Sequence, residues 1–423
     1  MFDIRLLRDD PEAVRQRLST RHCPVDLDEV LRLDAARRDA VTRADKLKTE
    51  RNAASKEIGM RKKAGEDTAP AQERVRAIGG EIASLDVLRR DIEEKLRTLL
   101  LAIPNLPQAD VPVGEDESSN VVVGTWGTPK ELPFPARDHV AIGEALQLFD
   151  LPRGAKITGA GFPLFTGRGA RLERALISFM LDMHTTENGF TEVSPPFVVN
   201  RASMTGTGQL PKLENDMYHV DADDLFLIPT AEVPVTNLYR DEILPGPFPI
   251  RRVAYTPCFR REAGAAGRDT RGIVRVHQFD KVEMVAFTTP ETSADEHQYL
   301  VRCAQKVLER LGLAYRTVLL SSGDQSFAAA KCYDLELWVP GSRRWLEISS
   351  VSNFEAFQAR RMNIRYRDAK GKIDFVHTLN GSGVSLARMV VALLENGQRE
   401  DGSVRLPDAL APYLGEENLL IQP

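Results

Sequence analysis

Phe259-Arg260-Arg261-Glu262, followed after a Gly- and Arg-rich interval by Arg275-Val276-His277-Gln278-Phe279, is the stretch on which the reading of the fold turns. It sets a cation, a carboxylate, a second cation and an aromatic ring at the two ends of a predicted β-hairpin. ATP complements such a set, with phosphates for the arginines and a flat adenine for the ring. An arginine fork grips phosphate at two points, which a flexible lysine does less well. Taken alone, a surface hairpin with scattered charges would account for the segment equally well, so the rest of the chain decides.

With 423 residues the chain can bury a large core and is expected to hold two domains. Charged residues make up 28% and hydrophobic residues 42%, an ordinary balance for a soluble protein. No apolar run approaches the roughly 18–20 residues that span a bilayer, and the N-terminus lacks the apolar core of a signal peptide. Cys23, Cys258, Cys303 and Cys332 are scattered without a CxxC pair, which argues against a disulfide framework or a Cys-rich zinc site and for reduced thiols in a cytoplasmic protein. The net charge of −5 speaks against a nucleic-acid partner only weakly, because binding follows the local field.

Residues 27 to 101 read as two long helices. In the first, Leu33, Ala40, Leu47 and Ala54 recur every seven residues. In the second, Val75, Ile78, Ile82, Leu85, Ile92, Leu96 and Leu99 alternate steps of three and four. This is a heptad seam interrupted by Arg37, Arg51 and Arg89. Gly59, Gly65, Asp67, Thr68 and Pro70 break the pattern between the helices, so the pair should fold back as an antiparallel coiled-coil arm. From Asp28 to Lys63 the sequence carries eleven basic and seven acidic residues, while Glu73 to Arg97 carries six of each. Such charges commonly form a solvated coiled-coil surface, although a rod with a basic side also suits nucleic-acid phosphates.

Ile103 to Pro135 is rich in Pro, Gly, Asp and Ser and reads as a linker with short strands. Beyond it come short β-rich runs at Leu225–Ile228, Ile250–Tyr255, Val274–Phe279, Val282–Phe287, Thr317–Leu320, Leu335–Val339 and Trp345–Ile348. Helical stretches separate them at 170–188, 292–312 and 383–396. Few crossover helices intervene, which predicts an α+β fold with a mainly antiparallel sheet and flanking helices, preceded by the helical arm. The expected domains are 1–105 and 106–423, with 106–135 as linker.

Within this half, carboxylates stand where a plain sheet would be apolar. Thr230-Ala231-Glu232 follows a strand, Glu283 lies among valines, and Glu347 follows Trp345-Leu346. A carboxylate on a sheet face is costly unless paired or holding a cation. Each alone is more commonly a salt-bridged structural residue; together, near arginines, they favour a site for an ammonium and a metal-chelated phosphate. Asn380-Gly381-Ser382-Gly383 reads as a turn into an apolar helix carrying Arg388, and a buried-side arginine calls for an anion. There is no GxxxxGK[ST] and no strand–GxGxxG–helix unit, which disfavours P-loop and Rossmann binding.

These residues resemble a class II aminoacyl-tRNA synthetase and, within it, the bacterial seryl-tRNA synthetase family. Gly189-Phe190-Thr191-Glu192-Val193-Ser194-Pro195-Pro196, Phe259–Phe279 and Gly381–Arg388 match the three class motifs, the first of which belongs to the family's dimer interface. Gly206-Thr207-Gly208-Gln209-Leu210-Pro211, Thr230-Ala231-Glu232, Arg268-Asp269-Thr270-Arg271-Gly272, Phe357-Gln358-Ala359-Arg360-Arg361 and the arm match the seryl family in particular. The third motif departs at Val384-Ser385, where a smaller residue is usual; Ser385 is small enough to preserve the turn.

The resemblance implies a serine–tRNA ligase that forms seryl-adenylate from L-serine and ATP and passes serine to tRNA(Ser), and to tRNA(Sec) where an organism has one. It implies catalytic roles for Arg260, Glu262, Arg275 and Arg388, and ATP contacts from these with Arg261, Val276, Phe279, Glu347, Ile348, Ser349 and Ser350. Glu347 and Ser350 would ligate Mg²⁺. Thr230, Ala231, Glu232, Arg260, Glu283, Asn380 and Ser382 would hold serine. Arg37, Arg43, Arg51 and Lys62 would face tRNA, and a homodimer is implied. A ligase that loads an amino acid onto a carrier protein is the nearest alternative, and a non-catalytic tRNA-binding scaffold is a second.

Overall fold

The computed structural model describes residues 1–263 and 271–423. Arg268, Asp269 and Thr270 of the seryl-type string therefore lie outside the described residues. The chain divides into two units, Phe2–Pro104 and Asn105–Pro423 together with Met1.

In the first unit, α1 (Ile4–Asp9) and α2 (Pro11–Leu18) precede the long helices α3 (Leu27–Lys63) and α4 (Ala69–Ala102). Local sequence sets both ends of α3. The Asp26 side chain accepts from the amides of Asp28 and Glu29, those two acids lie in the first turn, and Arg61, Lys62 and Lys63 occupy the last, all favourable to the helix dipole. Gly65 then takes φ +72°, and Glu66 N donates to Arg61 O at 3.0 Å, a glycine-dependent stop. Ala40, Ala44 and Leu85 form the middle of the seam with Leu47 beside them, as the heptads predict. Arg43 pairs across the hairpin with Glu81 at 3.4 Å, and Arg74 with Glu50. Asp34 is fully buried and paired with Arg8 at 3.6 Å and with Arg37 and Arg38 at 3.1 Å, an internal ion cluster that spacing alone does not reveal.

The second unit is built on an eight-stranded sheet. Its strands are β1 (Val121–Trp126), β2 (Thr191–Glu192), β3 (Ile250–Phe259), β4 (Gln278–Thr288), β5 (Tyr315–Leu319), β6 (Lys331–Val339), β7 (Arg344–Asn353) and β8 (His377–Ser385). Their spatial order is β1-β5-β6-β7-β8-β4-β3-β2. Every neighbouring pair is antiparallel except β2 with β3. The predicted antiparallel sheet is therefore present, with one change. The stretch between Ile103 and Pro135, read as a linker with short strands, supplies edge strand β1, because Val121-Val122-Val123 is β-branched within otherwise turn-rich sequence. The segment around Asn380–Gly383 is not a turn but the middle of β8, and its helix begins only at Leu386.

Strand alternation divides β4 between two faces. Val282, Met284 and Ala286 enter the large core with helices α5 (Gly167–Thr186), α6 (Ser293–Arg310) and α7 (Leu386–Gly397). Val285 and Phe287 point to the opposite face, into a smaller core with Ala231, Ala254 and Ile364. Lys281 and Glu283 share that second face by the same period, and this is the face that carries the polar site. No helix among the described residues is long and apolar enough to cross a membrane.

Candidate active site

The opening hairpin forms as predicted. In the β3–β4 ladder Cys258 stands opposite Phe279 and Phe259 opposite Gln278. Arg260 N donates to His277 O at 2.9 Å, and His277 Nδ1 lies 3.0 Å from Arg260 O, so the ladder is continued just beyond the strands. Arg275, Val276 and His277 precede β4 instead of lying within a strand. The Arg260 guanidinium lies over the Phe279 ring at 5.1 Å and donates through Nε to Pro229 O at 3.3 Å. Glu262 takes φ +50° and accepts from Arg275 Nη1 at 2.7 Å. Arg261 is exposed on the rim, with its amide on Asp216 O. The Val276 side chain is buried, which leaves its backbone as the group able to meet a ligand.

Arg388, on the first turn of α7, closes this end of the site. Its Nη1 donates to Glu347 O at 2.9 Å and lies 3.2 Å from Glu347 Oε2, while Nε donates to Val274 O at 3.3 Å. The second and third motifs are thus joined through β7. The structure places Arg260, not Arg388, against Phe279.

A cluster of buried polar side chains lies along the polar face of β4 and β8. Glu283 is fully buried; Asn380 Nδ2 donates to its Oε1 at 3.0 Å. Its Oε2 accepts no hydrogen bond among the described residues and forms an ion pair with the buried Lys281 ammonium. Lys281 Nζ also donates to Thr230 Oγ1 at 2.8 Å, and Glu232 N approaches the same oxygen at 3.2 Å. Glu232 is 7% exposed and accepts from Gln358 Nε2 at 2.6 Å, with the amide oriented by Thr378, whose hydroxyl donates to Gln358 Oε1 at 2.8 Å. Burial, then the charge of Glu283, push the Glu232 carboxyl up to about 7 despite Gln358, Lys281 and Arg260. Ser382 is opposite Glu283 in the ladder, and its carbonyl accepts from Ser349 Oγ at 2.5 Å.

Two residues expected to bind ligand do so, if at all, through backbone. The side chain of Ile348 is in the large core and that of Ala231 in the smaller one. The Ser349 hydroxyl is committed to Ser382 and so serves the third motif. The bulge between Ser382 and Val384, with Val384 at φ +144°, replaces the expected turn and lets β8 deliver Asn380 and Ser382 to this cluster before α7 starts.

Sequence reasoning missed Lys281, Gln358 and Asp334 as site residues. Asp334 stands opposite Ser350 in the β6–β7 ladder. Burial, then the charge of Glu347, raise its carboxyl well above the carboxylate range. Two acids opposed in this way beside a serine hydroxyl fit a hard divalent cation. No cluster of three or more His, Cys, Asp or Glu side chains suited to a metal occurs among the described residues, so any such ion would need oxygens from a ligand as well. The signal was the period of β6, which sets Asp334 and Glu336 on one face.

Known proteins share this sequence and fold. Residues 216–397 match the tRNA synthetase class II core domain (G, H, P, S and T), and residues 1–107 match the seryl-tRNA synthetase N-terminal domain. The chain is 52% identical over 421 residues to a serine–tRNA ligase of Carboxydothermus hydrogenoformans, covering 99% of each chain. It is 53% identical over 417 residues to that of Thermomicrobium roseum, covering 98% of this chain and 94% of the relative. Seryl-tRNA synthetase from Pyrococcus horikoshii, solved with ATP, superposes with a TM-score of 0.94 at 38% identity and 100% coverage of both chains.

Proposed function

The chain belongs to the seryl-tRNA synthetase family and is a serine–tRNA ligase, and from that premise we propose roles for the residues gathered on this face of the sheet. The serine carboxylate attacks the α-phosphorus of ATP, the bond to pyrophosphate breaks, and seryl-adenylate forms. A terminal ribose hydroxyl of tRNA then displaces AMP. Neither step needs a protein nucleophile, so positioning and charge neutralisation are what the residues supply.

Arg260 lies between the two halves of the site, over Phe279 on one side and near Glu232 on the other, and is assigned to the α-phosphate and the serine carboxylate. To admit adenine on Phe279, its guanidinium swings from that ring towards the phosphate. Glu262 and Arg275 brace each other at the hairpin mouth, with Glu262, Arg261 and Val276 at the nucleotide. Arg388 bears on the triphosphate from α7. Mg²⁺, held by Glu347, Ser350 and Asp334, would neutralise phosphate charge there. Glu232 and Thr230 take the serine ammonium, while Glu283, supported by Asn380 and Ser382, takes the hydroxyl.

The observation that carries this reading is Glu283: a fully buried carboxylate on the polar face of β4, bonded by Asn380 Nδ2 at 3.0 Å and ion-paired with Lys281, which also donates to Thr230. A site built to bond a hydroxyl rejects the analogue without one by on the order of 10⁴-fold, because its polar groups are left unpaired. Glu283→Ala should lower serine-dependent ATP–pyrophosphate exchange by roughly 10- to 150-fold while ATP still binds, since a hydrogen bond to a charged group contributes about 1.5–3 kcal/mol. Unchanged serine kinetics in that variant would remove Glu283 from the substrate site.

We assign the α3–α4 hairpin to tRNA. Arg37 and Arg43 are engaged with Asp34 and Glu81, whereas no ion pair involves Arg51 or Lys62 among the described residues, so the latter two are the readier phosphate contacts. The acceptors are tRNA(Ser) and, where present, tRNA(Sec). The working form is taken to be a cytoplasmic homodimer.

A further inference from the structure

Lys281 occupies an unusual place for a lysine. It is 6% exposed, on the polar face of β4 two residues from Glu283, which is 0% exposed. Its ammonium touches Glu283 Oε2 and donates to Thr230 Oγ1 at 2.8 Å, so it stands between the residues assigned above to the ammonium and the hydroxyl of serine. A lysine that merely braced the sheet would need neither partner to be a ligand group.

The charges in this cluster make its role specific. Burial, then the nearby charge of Glu283, raise the Glu232 carboxyl. The groups facing Glu283 are Lys281 on its own strand, Cys258 from β3, Glu232 and Thr230 from the preceding segment, and Asn380 and Ser382 from β8. Burial raises the Cys258 thiol, which stays neutral. Arg260 is turned to Pro229 O and Phe279. The cation in contact with Glu283 is therefore Lys281. A carboxylate held in such a pair accepts hydrogen bonds, so the substrate group that meets it must donate one.

We propose that Lys281 is a positioning residue for substrate selection, pairing with Glu283 and aiming its carboxylate so that the site demands a hydrogen-bond donor on the amino-acid side chain. This rests on the assignment of Glu283 to the serine hydroxyl. Lys281 acts through Glu283 and forms no bond to the reacting atoms.

The test is a double-mutant cycle in serine-dependent ATP–pyrophosphate exchange, with Lys281→Met, Lys281→Arg, Glu283→Gln and the Lys281→Met/Glu283→Gln pair. Lys281→Met should raise the serine KM by at least about tenfold, as loss of a buried pair partner leaves the Glu283 carboxylate without the contact that aims it. The ATP KM should stay within about twofold of the wild type, on the premise that uniform nucleotide binding is untouched. Lys281→Arg, which keeps the cation, should restore the serine KM to within about threefold of the wild type. The paired variant leaves no unpaired buried charge at these two positions, and should be no worse than Glu283→Gln alone. A wild-type serine KM in Lys281→Met would overturn the proposal. So would losses that multiply in the paired variant, as expected of an independent structural strut. Should Glu283→Gln by itself leave serine kinetics unchanged, the Glu283 assignment falls first and the role of Lys281 with it.

Discussion

In its proposed role Glu232 must be ionised to hold an ammonium, yet its surroundings work against its charge. Burial and Glu283 raise it to about 7, and Gln358 Nε2 at 2.6 Å pulls it back down. Because the ionised form is the binding form, serine kcat/KM should fall as pH drops through about 7. Gln358→Ala removes a bond to the charged form and should shift this limb upward by roughly one unit, given about 1.5 kcal/mol for such a bond. A pH–rate profile of both proteins checks it, and coincident acidic limbs would contradict it. Single residues were unevenly legible. Arg260, Glu283 and Arg388 could be picked out because each is a charge in an apolar or patterned setting. Lys281 was not, since a lysine beside the hairpin looks solvated until the register puts it beneath Thr230. Gln358 and Asp334 gain meaning only from partners more than a hundred residues away or across a strand pair. Sequence spacing carries no information about such contacts.

Among elements, the arm is the part that periodicity described best. The seam of Ala40, Ala44 and Leu85 and the glycine stop at Gly65 follow from local rules. Its length argues for a function separate from the sheet's, because α3 and α4 hold 37 and 34 residues yet enclose only a narrow row of buried side chains. Removing residues 30–98 and bridging with a short glycine linker should abolish tRNA charging by at least about 100-fold while pyrophosphate exchange persists, because phosphate contacts supply much of nucleic-acid affinity. Aminoacylation and exchange assays on the truncated enzyme decide it, and normal charging would contradict the division of labour. The third motif was the element misread. Gly381 and Gly383 suggested a turn, because glycine is read locally as a breaker. In the sheet they are strand positions where a Cβ would press on Val351, Val282 and His184, so close packing and not turning is what asks for glycine.

For the molecule as a whole, the sheet's two faces divide stability from chemistry. Val282, Met284 and Ala286 fasten β4 to the large core, and the residues between them present Lys281 and Glu283 to the substrate. On the proposed roles, this deeply packed strand is the one that reads the amino acid, which limits how far the site can relax to accept another. This rigidity underlies the central claim that the face is built for an amino acid with a side-chain donor of serine's size. ATP–pyrophosphate exchange by the unmodified protein, run in parallel with serine, alanine and threonine, tests that claim most directly. Serine should support exchange, with kcat/KM for alanine lower by on the order of 10⁴-fold for want of the hydroxyl. Threonine, which keeps the hydroxyl and adds a methyl, should fall between them, since one extra methylene-sized group is worth only about 10–200-fold. Alanine within about tenfold of serine, or no exchange with serine at all, would contradict it.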